Sequence, residues 1–425
     1  MQFLNDILSH LFDRGSMAKN KPEASALTSE ELLELVMTTE GDVSANVYAH
    51  QLLQRFNGMD DDAMLGFFNH ILALDLDANS LIAAAKAYRD SQSADDLAAI
   101  SRHAEPRWQE LFRRLNAVAN GTVALVHMRK KLLGLSRANP ELKRLDVGLK
   151  ALMLSWFNSG FLVLKPIDWA TSATVLEKII AYEAVHEIES WEDLRTRLAP
   201  EDRRCFAFFH PAMPDEPLIF VEVALMGDTP RAINDVLKTP REVIRATDAT
   251  TAVFYSISNC QAGLAGISFG NFLIKQVARA LQRDLPQLSR FVTLSPVPGF
   301  RGWLNDQKPA LHADIAAQMT SLDDIDDLLR QKINVAAAEY FLASSRADGR
   351  PHDPVARFHL GNGASLDQLN LFGDRSDKGM TQSFGLMVNY LYELDAVEKN
   401  HEDYSRDNVI SASEAITALV PPPKP

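Results

Sequence analysis

The residues whose types and spacing could do chemistry lie in the C-terminal half of the 425-residue chain. Ser295 follows the apolar run Arg290–Leu294, and Pro296 and Pro298 fix the path of the backbone after it. A hydroxyl held this rigidly suits catalysis or substrate positioning, although a serine in this place can also simply cap the end of a strand. Ser295 is therefore a candidate catalytic residue.

His359 is a second candidate, because histidine is the side chain that most readily exchanges a proton near neutral pH. It alternates with Phe358 and Leu360 ahead of a Gly-Asn-Gly turn. This alternation predicts a short strand with the imidazole on the face opposite its apolar neighbours, and a purely structural histidine is the alternative. The chain has no His-Glu-x-x-His motif and no other ligand spacing of His, Cys and Asp, so we expect no metal.

Two tyrosines, Tyr390 and Tyr392, form a third candidate group near the C-terminus. The segment 381–395 around them is predicted to be a helix, or a helix preceded by a loop. Packing in the core would account for at least one of the two rings.

A glycine-rich loop, Ala262–Gly270, separates an apolar run that predicts a strand from an amphipathic segment that predicts a helix. Its glycines allow a tight turn and a close approach to a ligand, and the N–H groups that open the following helix suit a phosphate. Lys275, Arg279 and Arg283 could add positive charge on that helix. A simple tight turn explains the same glycines, and the lack of a Lys-Ser/Thr pair rules out a Walker A loop.

The same loop contains Gly266-Ile267-Ser268-Phe269-Gly270, which matches the G-x-S-x-G nucleophile elbow of serine hydrolases. That motif would make Ser268 a nucleophile with a later histidine as its base. An elbow must follow its strand directly, however, and several small residues separate Ser258 from Gly266. The hydrolase is therefore a minor alternative.

The elements that must position these residues change in character along the chain. Up to about residue 160 the apolar residues recur with helical period, and Thr28 and Glu31 form a capping box at the start of one helix. After Gly160, β-branched and aromatic runs alternate with helical segments. We expect an all-helical bundle over 1–160 and an α+β domain over 161–425. Strands are expected at 161–164, 204–210, 218–226, 251–258 and 290–294, and an amphipathic helix at 3–12.

Composition excludes several classes of protein. A net charge of −13 and a pI near 5.3 argue against binding nucleic acid through bulk charge. The most apolar segment, Leu218–Met226, is too short to cross a membrane. Two cysteines cannot form a disulfide framework, so we expect a reducing, cytoplasmic setting.

Together these segments resemble the malonyl-CoA decarboxylase family, whose stretches occur here in the family's order. Among them are MRKKLLGL at 128–135, HPAMPDEPLIFVEVAL at 210–225, GLAGISFGNFLIKQV at 263–277, LSPVPGF at 294–300, RFHLGNGA at 357–364 and GLMVNYLY at 385–392. The resemblance implies a helical N-terminal domain followed by a GCN5-related N-acetyltransferase-like α+β catalytic domain. It also implies conversion of malonyl-CoA to acetyl-CoA and CO2 without metal or organic cofactor.

The resemblance also assigns site residues. The family's catalytic serine falls on Ser295, its catalytic histidine on His359 and an active-site tyrosine on Tyr392. Its CoA-contacting loop falls on Ala265, Gly266, Ile267, Ser268, Phe269, Gly270 and Asn271. Where some members have a glutamate in this loop, the chain has Ser268, so that carboxylate role is not expected here.

Other functions stay open at this stage. A CoA-dependent acyltransferase on the same fold and a non-catalytic acyl-CoA-binding regulator are alternatives, beside the hydrolase. The apolar stripes of the helical domain favour a homo-oligomer. We expect malonyl-CoA and acetyl-CoA as partners, with no nucleic acid and no membrane span.

Overall fold

The computed structural model describes residues 27–267, 273–318 and 325–420, apart from the side chain of Asp42. The described chain divides into two compact units. The first ends at Trp156 and also takes in Ala262–Ile267, and the second begins at Phe157. The sequence placed the boundary at residue 160 and assigned 262–267 to the C-terminal domain. The helix expected at 3–12 lies outside the described residues.

The first unit is helical in its described residues, as the sequence predicted. At its start the Thr28 hydroxyl accepts the N–H of Glu31 while the Glu31 carboxylate accepts the N–H of Thr28, which is the predicted capping box. Gly148 is needed for helix packing, since a Cβ there would lie 2.0 Å from the ring of Trp108. The helices are α1 (Ser29–Thr38), α2 (Asp42–Asn57), α3 (Asp61–Ala73), α4 (Ala78–Ser91), α5 (Ala94–His103), α6 (Arg107–Asn116), α7 (Gly121–Leu135) and α8 (Lys143–Trp156).

The second unit is built on one mixed β-sheet, which confirms the α+β prediction. The strands run in the order β1-β2-β3-β4-β5-β8-β6, and β7 also pairs with β8. The pair β4 and β5 is parallel, whereas the other pairs are antiparallel. The strands are β1 (Val163–Ile167), β2 (Arg203–Phe209), β3 (Ile219–Met226), β4 (Thr251–Asn259), β5 (Arg290–Thr293), β6 (Ser295–Pro296), β7 (Ser365–Asn370) and β8 (Met387–Leu391).

Helices pack on this sheet and supply the rest of the core. The central strands β3 and β4 are almost entirely buried, as expected for apolar runs in the middle of a sheet. The helices are α9 (Ala173–Tyr182), α10 (Trp191–Leu198), α11 (Ile233–Leu237), α12 (Leu273–Asp284), α13 (Phe300–Gln307), α14 (Pro309–Gln318), α15 (Asp327–Leu342), α16 (Pro354–Gly361), α17 (Asp377–Ser383), α18 (Val397–Asp407) and α19 (Glu414–Thr417).

Two secondary-structure predictions are wrong. His359 lies in the last turn of α16 and not on a strand, because Asp353 caps this helix and Pro354 occupies its first turn. The segment predicted as a helix over 381–395 contains strand β8 instead. Phe384 and Gly385, both with positive φ, end helix α17 before that strand begins. No helix in the described ranges is long and apolar enough to cross a membrane.

Candidate active site

A cleft opens in the sheet where the two parallel strands separate. β4 pairs with β5 only from Thr251 to Phe254, and beyond that point the chain after β5 turns to pair with β8 through β6. The cleft has a volume of about 240 Å³, and Ser295 and His359 both line it. Most of its other walls are apolar, including Phe254, Ile257, Leu294, Pro296, Val355 and Phe358.

Ser295 is placed at the start of the short strand β6, pairing with Val388, and its side chain is buried. Its hydroxyl donates to Oγ1 of Thr293 at 2.8 Å. Thr293 is itself held by β8, because Asn389 donates its side-chain N–H to the Thr293 carbonyl at 2.8 Å. The rigid hydroxyl expected from the sequence is therefore fixed by hydrogen bonds as well as by its prolines.

His359 joins Ser295 to Tyr392. Its Nε2 lies 3.0 Å from Ser295 Oγ, and its Nδ1 lies 2.9 Å from the Tyr392 hydroxyl. The ring of Tyr390 stacks on the imidazole with centroids 4.5 Å apart, which keeps the ring plane fixed. The structure thus brings Ser295, His359 and Tyr392 together in one hydrogen-bonded chain.

The two tyrosines lie on the strand that faces the histidine, which explains why both contact it. Residues two apart on a strand point to the same face. Tyr390 lies in β8 and Tyr392 directly follows it, with its N–H donating to the Phe291 carbonyl at 2.8 Å. One tyrosine packs against the imidazole and the other bonds to it.

Burial keeps the hydrogen-bonded side chains of Ser295, His359 and Tyr392 uncharged. It lowers the pKa of His359 to about 3, and it holds the pKa of Tyr392 well above its usual range. At neutral pH His359 therefore carries one ring proton and Tyr392 keeps its hydroxyl proton.

The number of available protons determines which atom donates in each hydrogen bond of His359. The single Ser295 proton is donated to Thr293, so the contact between Ser295 and His359 needs Nε2–H as its donor. Nδ1 is then unprotonated and accepts from the Tyr392 hydroxyl. The one ring proton of His359 consequently points toward Ser295 and the cleft.

This arrangement differs from a hydrolase triad. In a triad a carboxylate beside Nδ1 stabilises the imidazolium that forms when histidine takes the serine proton. Here the partner of Nδ1 is a neutral phenol, and burial disfavours the imidazolium. The pair is therefore suited to donating a proton or a hydrogen bond and poorly suited to activating Ser295 as a nucleophile.

Of the predicted CoA loop, Ala265, Gly266 and Ile267 are described, and they belong to the first unit. Ser268, Phe269, Gly270 and Asn271 lie outside the described residues. The segment packs closely on α7, since a Cβ on Gly263 would lie 1.9 Å from the carbonyl oxygen of Val126.

Two cations contact the described part of this loop. Arg129 donates to the carbonyls of Gly263 and Ala265 at 2.7 and 3.0 Å. Lys150 Nζ lies 3.0 Å from where a Cβ on Gly266 would be, and Gly266 has a φ of 72°, a value that favours glycine. By contrast, Lys275, expected to add charge near this loop, is buried and forms a 2.9 Å ion pair with Glu398.

Sequence reasoning missed several residues that build the site. Thr293 could have been found from its spacing, because it lies two residues before Ser295 at the end of an extended run. Asn389 stands beside the two tyrosines in the sequence, but neither its role nor that of Lys150 is predicted there, since the contacts they make join residues far apart in the chain. Among the described residues no cluster of three or more His, Cys, Asp or Glu side chains could hold a metal ion.

Comparisons with known proteins match both units. A family model described as the malonyl-CoA decarboxylase C-terminal domain matches residues 160–424, and one described as the N-terminal domain matches 75–157. The mitochondrial malonyl-CoA decarboxylase of Anser anser anser is 36% identical over 352 residues, which are 74% of this chain and 69% of that protein. The Mus musculus protein is 36% identical over 74% of this chain and 71% of its own length.

Solved structures agree with these matches. The crystal structure of malonyl-CoA decarboxylase from Rhodopseudomonas palustris has a TM-score of 0.87 and 49% identity, and the match covers 92% of this chain and 100% of that one. The structure from Agrobacterium vitis has a TM-score of 0.86 and 49% identity, covering 92% and 99% of the two chains.

Proposed function

Because the chain belongs to the malonyl-CoA decarboxylase family, we propose that Ser295, His359 and Tyr392 carry out its conversion of malonyl-CoA to acetyl-CoA and CO2. The observation that carries this proposal is the directed hydrogen-bond chain in a mostly apolar cleft. The requirements of the reaction account for each part of that chain.

Decarboxylation leaves an electron pair that the active site must stabilise. When the bond between the carboxylate carbon and the α-carbon breaks, CO2 leaves and the electron pair stays on the α-carbon. It is delocalised into the thioester carbonyl as an enolate, and hydrogen-bond donors aimed at that oxygen lower the barrier. The Ser295 hydroxyl and the Nε2–H of His359 are the donors at the cleft wall.

The apolar walls act on the carboxylate before it leaves. A carboxylate is poorly solvated beside Phe254, Leu294 and Val355, whereas the departing CO2 and the delocalised enolate need less solvation. In this proposal Ser295 turns its hydroxyl from Thr293 to the substrate and holds the carboxylate or the thioester in place.

The enolate is then protonated by the same pair. The Nε2 proton of His359 passes to the α-carbon, and the Tyr392 hydroxyl proton passes to Nδ1. The imidazole stays neutral, and the negative charge of the enolate passes to the Tyr392 oxygen until a solvent proton neutralises it. A water molecule that enters the cleft then donates a proton to Nε2, and the proton on Nδ1 returns to the Tyr392 oxygen. One solvent proton is consumed for each acetyl-CoA formed, as the overall reaction requires.

We propose that the CoA part of the substrate binds at the loop 265–271, as the family resemblance implies. Gly266 and the nearby ammonium of Lys150 support this assignment, because a cation beside a glycine turn suits a phosphate. Replacing Lys150 with alanine should raise the KM for malonyl-CoA severalfold and leave kcat almost unchanged. A KM equal to that of the wild type would count against a phosphate contact here.

We also propose that the reaction needs no metal or organic cofactor, since the thioester carbonyl itself accepts the electron pair. Activity should survive dialysis against a chelator, with residual metal measured in the same sample. A loss of activity that added metal restores would overturn this part of the proposal.

Assembly and location are further proposals. The first unit exposes apolar side chains on its helices, among them Val43, Val47, Ile82 and Leu97, which favours a homo-oligomer. Light scattering of the purified protein would measure its mass. The two cysteines are free and buried, which fits a reducing compartment such as the cytoplasm.

The reaction is tested by incubating the protein with malonyl-CoA and no amine acceptor, while CO2, acetyl-CoA and free CoA are measured. Equal amounts of CO2 and acetyl-CoA are expected. Free CoA without acetyl-CoA would indicate a hydrolase, and binding without turnover a regulator, whereas turnover that requires an added amine acceptor would indicate an acyltransferase. Ser295→Ala should lower kcat by about 10²–10³, as expected for a lost donor to the developing charge. Ser383→Ala is the control and should leave kcat unchanged, because the buried Ser383 hydroxyl donates to the carbonyls of Gly379 and Leu386 and does not line the cleft.

A further inference from the structure

One buried carboxylate, that of Asp353, touches the elements that carry both Ser295 and His359. Its residue is 0% exposed. It caps α16, the helix of His359, because Oδ1 accepts the N–H of Ala356 at 2.8 Å. This contact fixes the start of the helix that ends beside the cleft.

The same carboxylate also reaches the turn that follows Ser295. Burial raises the pKa of Asp353 to about 6, and the backbone N–H of Gly299, four residues after Ser295, is among the groups that oppose this rise. The Tyr340 hydroxyl donates to Oδ2 at 3.4 Å and packs so closely on the turn that a Cβ on Gly299 would lie 2.5 Å from it. Asp353 therefore joins the turn after Ser295 to the first turn of α16.

We infer that Asp353 is a positioning residue that sets the distance between Ser295 Oγ and His359 Nε2. The inference rests on the roles proposed above for those two residues. Asp353 does not line the cleft and acts only through the two elements it joins. A misplacement of reacting groups by about 1 Å can lower a rate by about a hundredfold.

Helix capping alone does not account for a carboxylate at this position. Serine caps a helix about as well as aspartate, and it avoids the cost of burying a charge. That cost is visible in Asp353, where burial raises the pKa to about 6. What the longer, two-oxygen side chain adds is its reach from α16 to the hydroxyl of Tyr340, which packs against Gly299.

Two substitutions distinguish the role of Asp353 as the cap of α16 from its role in joining α16 to the turn after Ser295. Asp353→Ser keeps a capping hydroxyl but loses the reach, so kcat should fall by about tenfold to a hundredfold while the KM for malonyl-CoA changes little. Asp353→Asn keeps the shape, because its amide oxygen can accept the Ala356 N–H while its amide N–H donates to the Tyr340 hydroxyl oxygen. It should stay within about threefold of the wild-type kcat. Wild-type kcat in Asp353→Ser, or an equal loss in both variants, would overturn the inference.

Asp60 provides a matched control. It caps α3 in the first unit through an Oδ1 contact to the N–H of Ala63, also at 2.8 Å, but it is exposed. Asp60→Ser should leave kcat unchanged, and thermal unfolding of all variants identifies the temperature at which each is folded. Ser295→Ala and His359→Ala are assayed in parallel: if they keep activity, the proposed function fails, whereas if only Asp353→Ser keeps activity, only the positioning role fails.

Discussion

The second unit contains two buried polar clusters, which differ in whether their side chains carry charge. The neutral chain consists of Thr293, Ser295, His359 and Tyr392 and carries no charge at neutral pH. The ionic cluster, formed by Arg197, Glu222 and Asp193, places a guanidinium 3.3 Å from one carboxylate and 3.2 Å from the other.

The ionic cluster and the neutral chain also differ in what they contact. Arg197 donates to the carbonyls of His186 and Glu187 at 2.7 and 2.9 Å, so its charge is used in holding that segment to the sheet. The neutral chain instead ends at the cleft, where the Nε2 proton of His359 points toward Ser295 and the cavity. A buried site that must stabilise a new negative charge benefits from carrying none of its own, because no resident anion opposes it.

His359→Ala should give the largest effect, because it removes both the donor at the cleft and the link to Tyr392. We expect kcat to fall by about 10²–10⁴, the range for loss of a general acid, with the unfolding midpoint measured in the same preparation. His312→Ala, at a half-buried histidine on α14, is the control and should keep normal activity. Comparable kcat values in the two variants would contradict the role of the neutral chain.

Arg197→Met should act on stability rather than on catalysis. Removing the guanidinium leaves the carbonyls of His186 and Glu187 and the fully buried Glu222 without their donor, at a cost of about 1–3 kcal/mol for each buried group left unpaired. Urea unfolding should show this loss, while kcat per folded molecule stays within about threefold of the wild type, since no donor at the cleft is removed. A variant that is stable but inactive would show that the ionic cluster is needed for catalysis, and it would contradict the separation of roles between this cluster and the neutral chain.

Tyr392→Phe should have a smaller effect on catalysis than the loss of the imidazole. The ring still fills its space, but Nδ1 loses the hydroxyl that keeps the ring proton on Nε2. We expect kcat to fall by about tenfold, which corresponds to one hydrogen bond, with little change in KM. An unchanged kcat would show that the tautomer of His359 is set by something other than Tyr392.

Glu222→Gln should change only how stability depends on pH. Burial raises the pKa of Glu222 to about 8, so the folded state binds more protons than the unfolded state above pH 4.5, the ordinary value. Wild-type stability should therefore fall as pH rises from about 4.5 to 8 relative to the variant, which lacks this group. Thermal midpoints of the two proteins across this range test it, and parallel curves would show that Glu222 ionises normally.

Sequence and structure agree best where the information is local. The strands 203–209 and 219–226 lie within one residue of their predicted positions, because apolar runs between turn residues depend on few distant contacts. The rigid hydroxyl of Ser295 was also visible, from its flanking prolines. Asp353 followed by Pro354 is a start signal for helix α16, but the alternation of Phe358, His359 and Leu360 imitates the pattern of a strand, so the sequence predicts the wrong element there.

The assembly of the site was not visible in the same way. Ser295 and His359 are 64 residues apart and His359 and Tyr392 are 33 apart, so their contacts depend on how the whole sheet is ordered. Strand β8 was mistaken for a helix because its pairing with β5, β6 and β7 comes from distant segments. The assignment of Ser295, His359 and Tyr392 to one site came from family resemblance, and the directed chain between them is visible only in three dimensions.

The most direct test of the neutral chain is ¹⁵N NMR of the imidazole of His359 as a function of pH, with His359→Gln used to assign its signals. The burial of the ring and its bond from Tyr392 predict a neutral imidazole with its proton on Nε2 from about pH 5 to pH 8, since the folded pKa is about 3. An imidazolium that titrates near the ordinary histidine pKa, or a proton on Nδ1, would contradict the account.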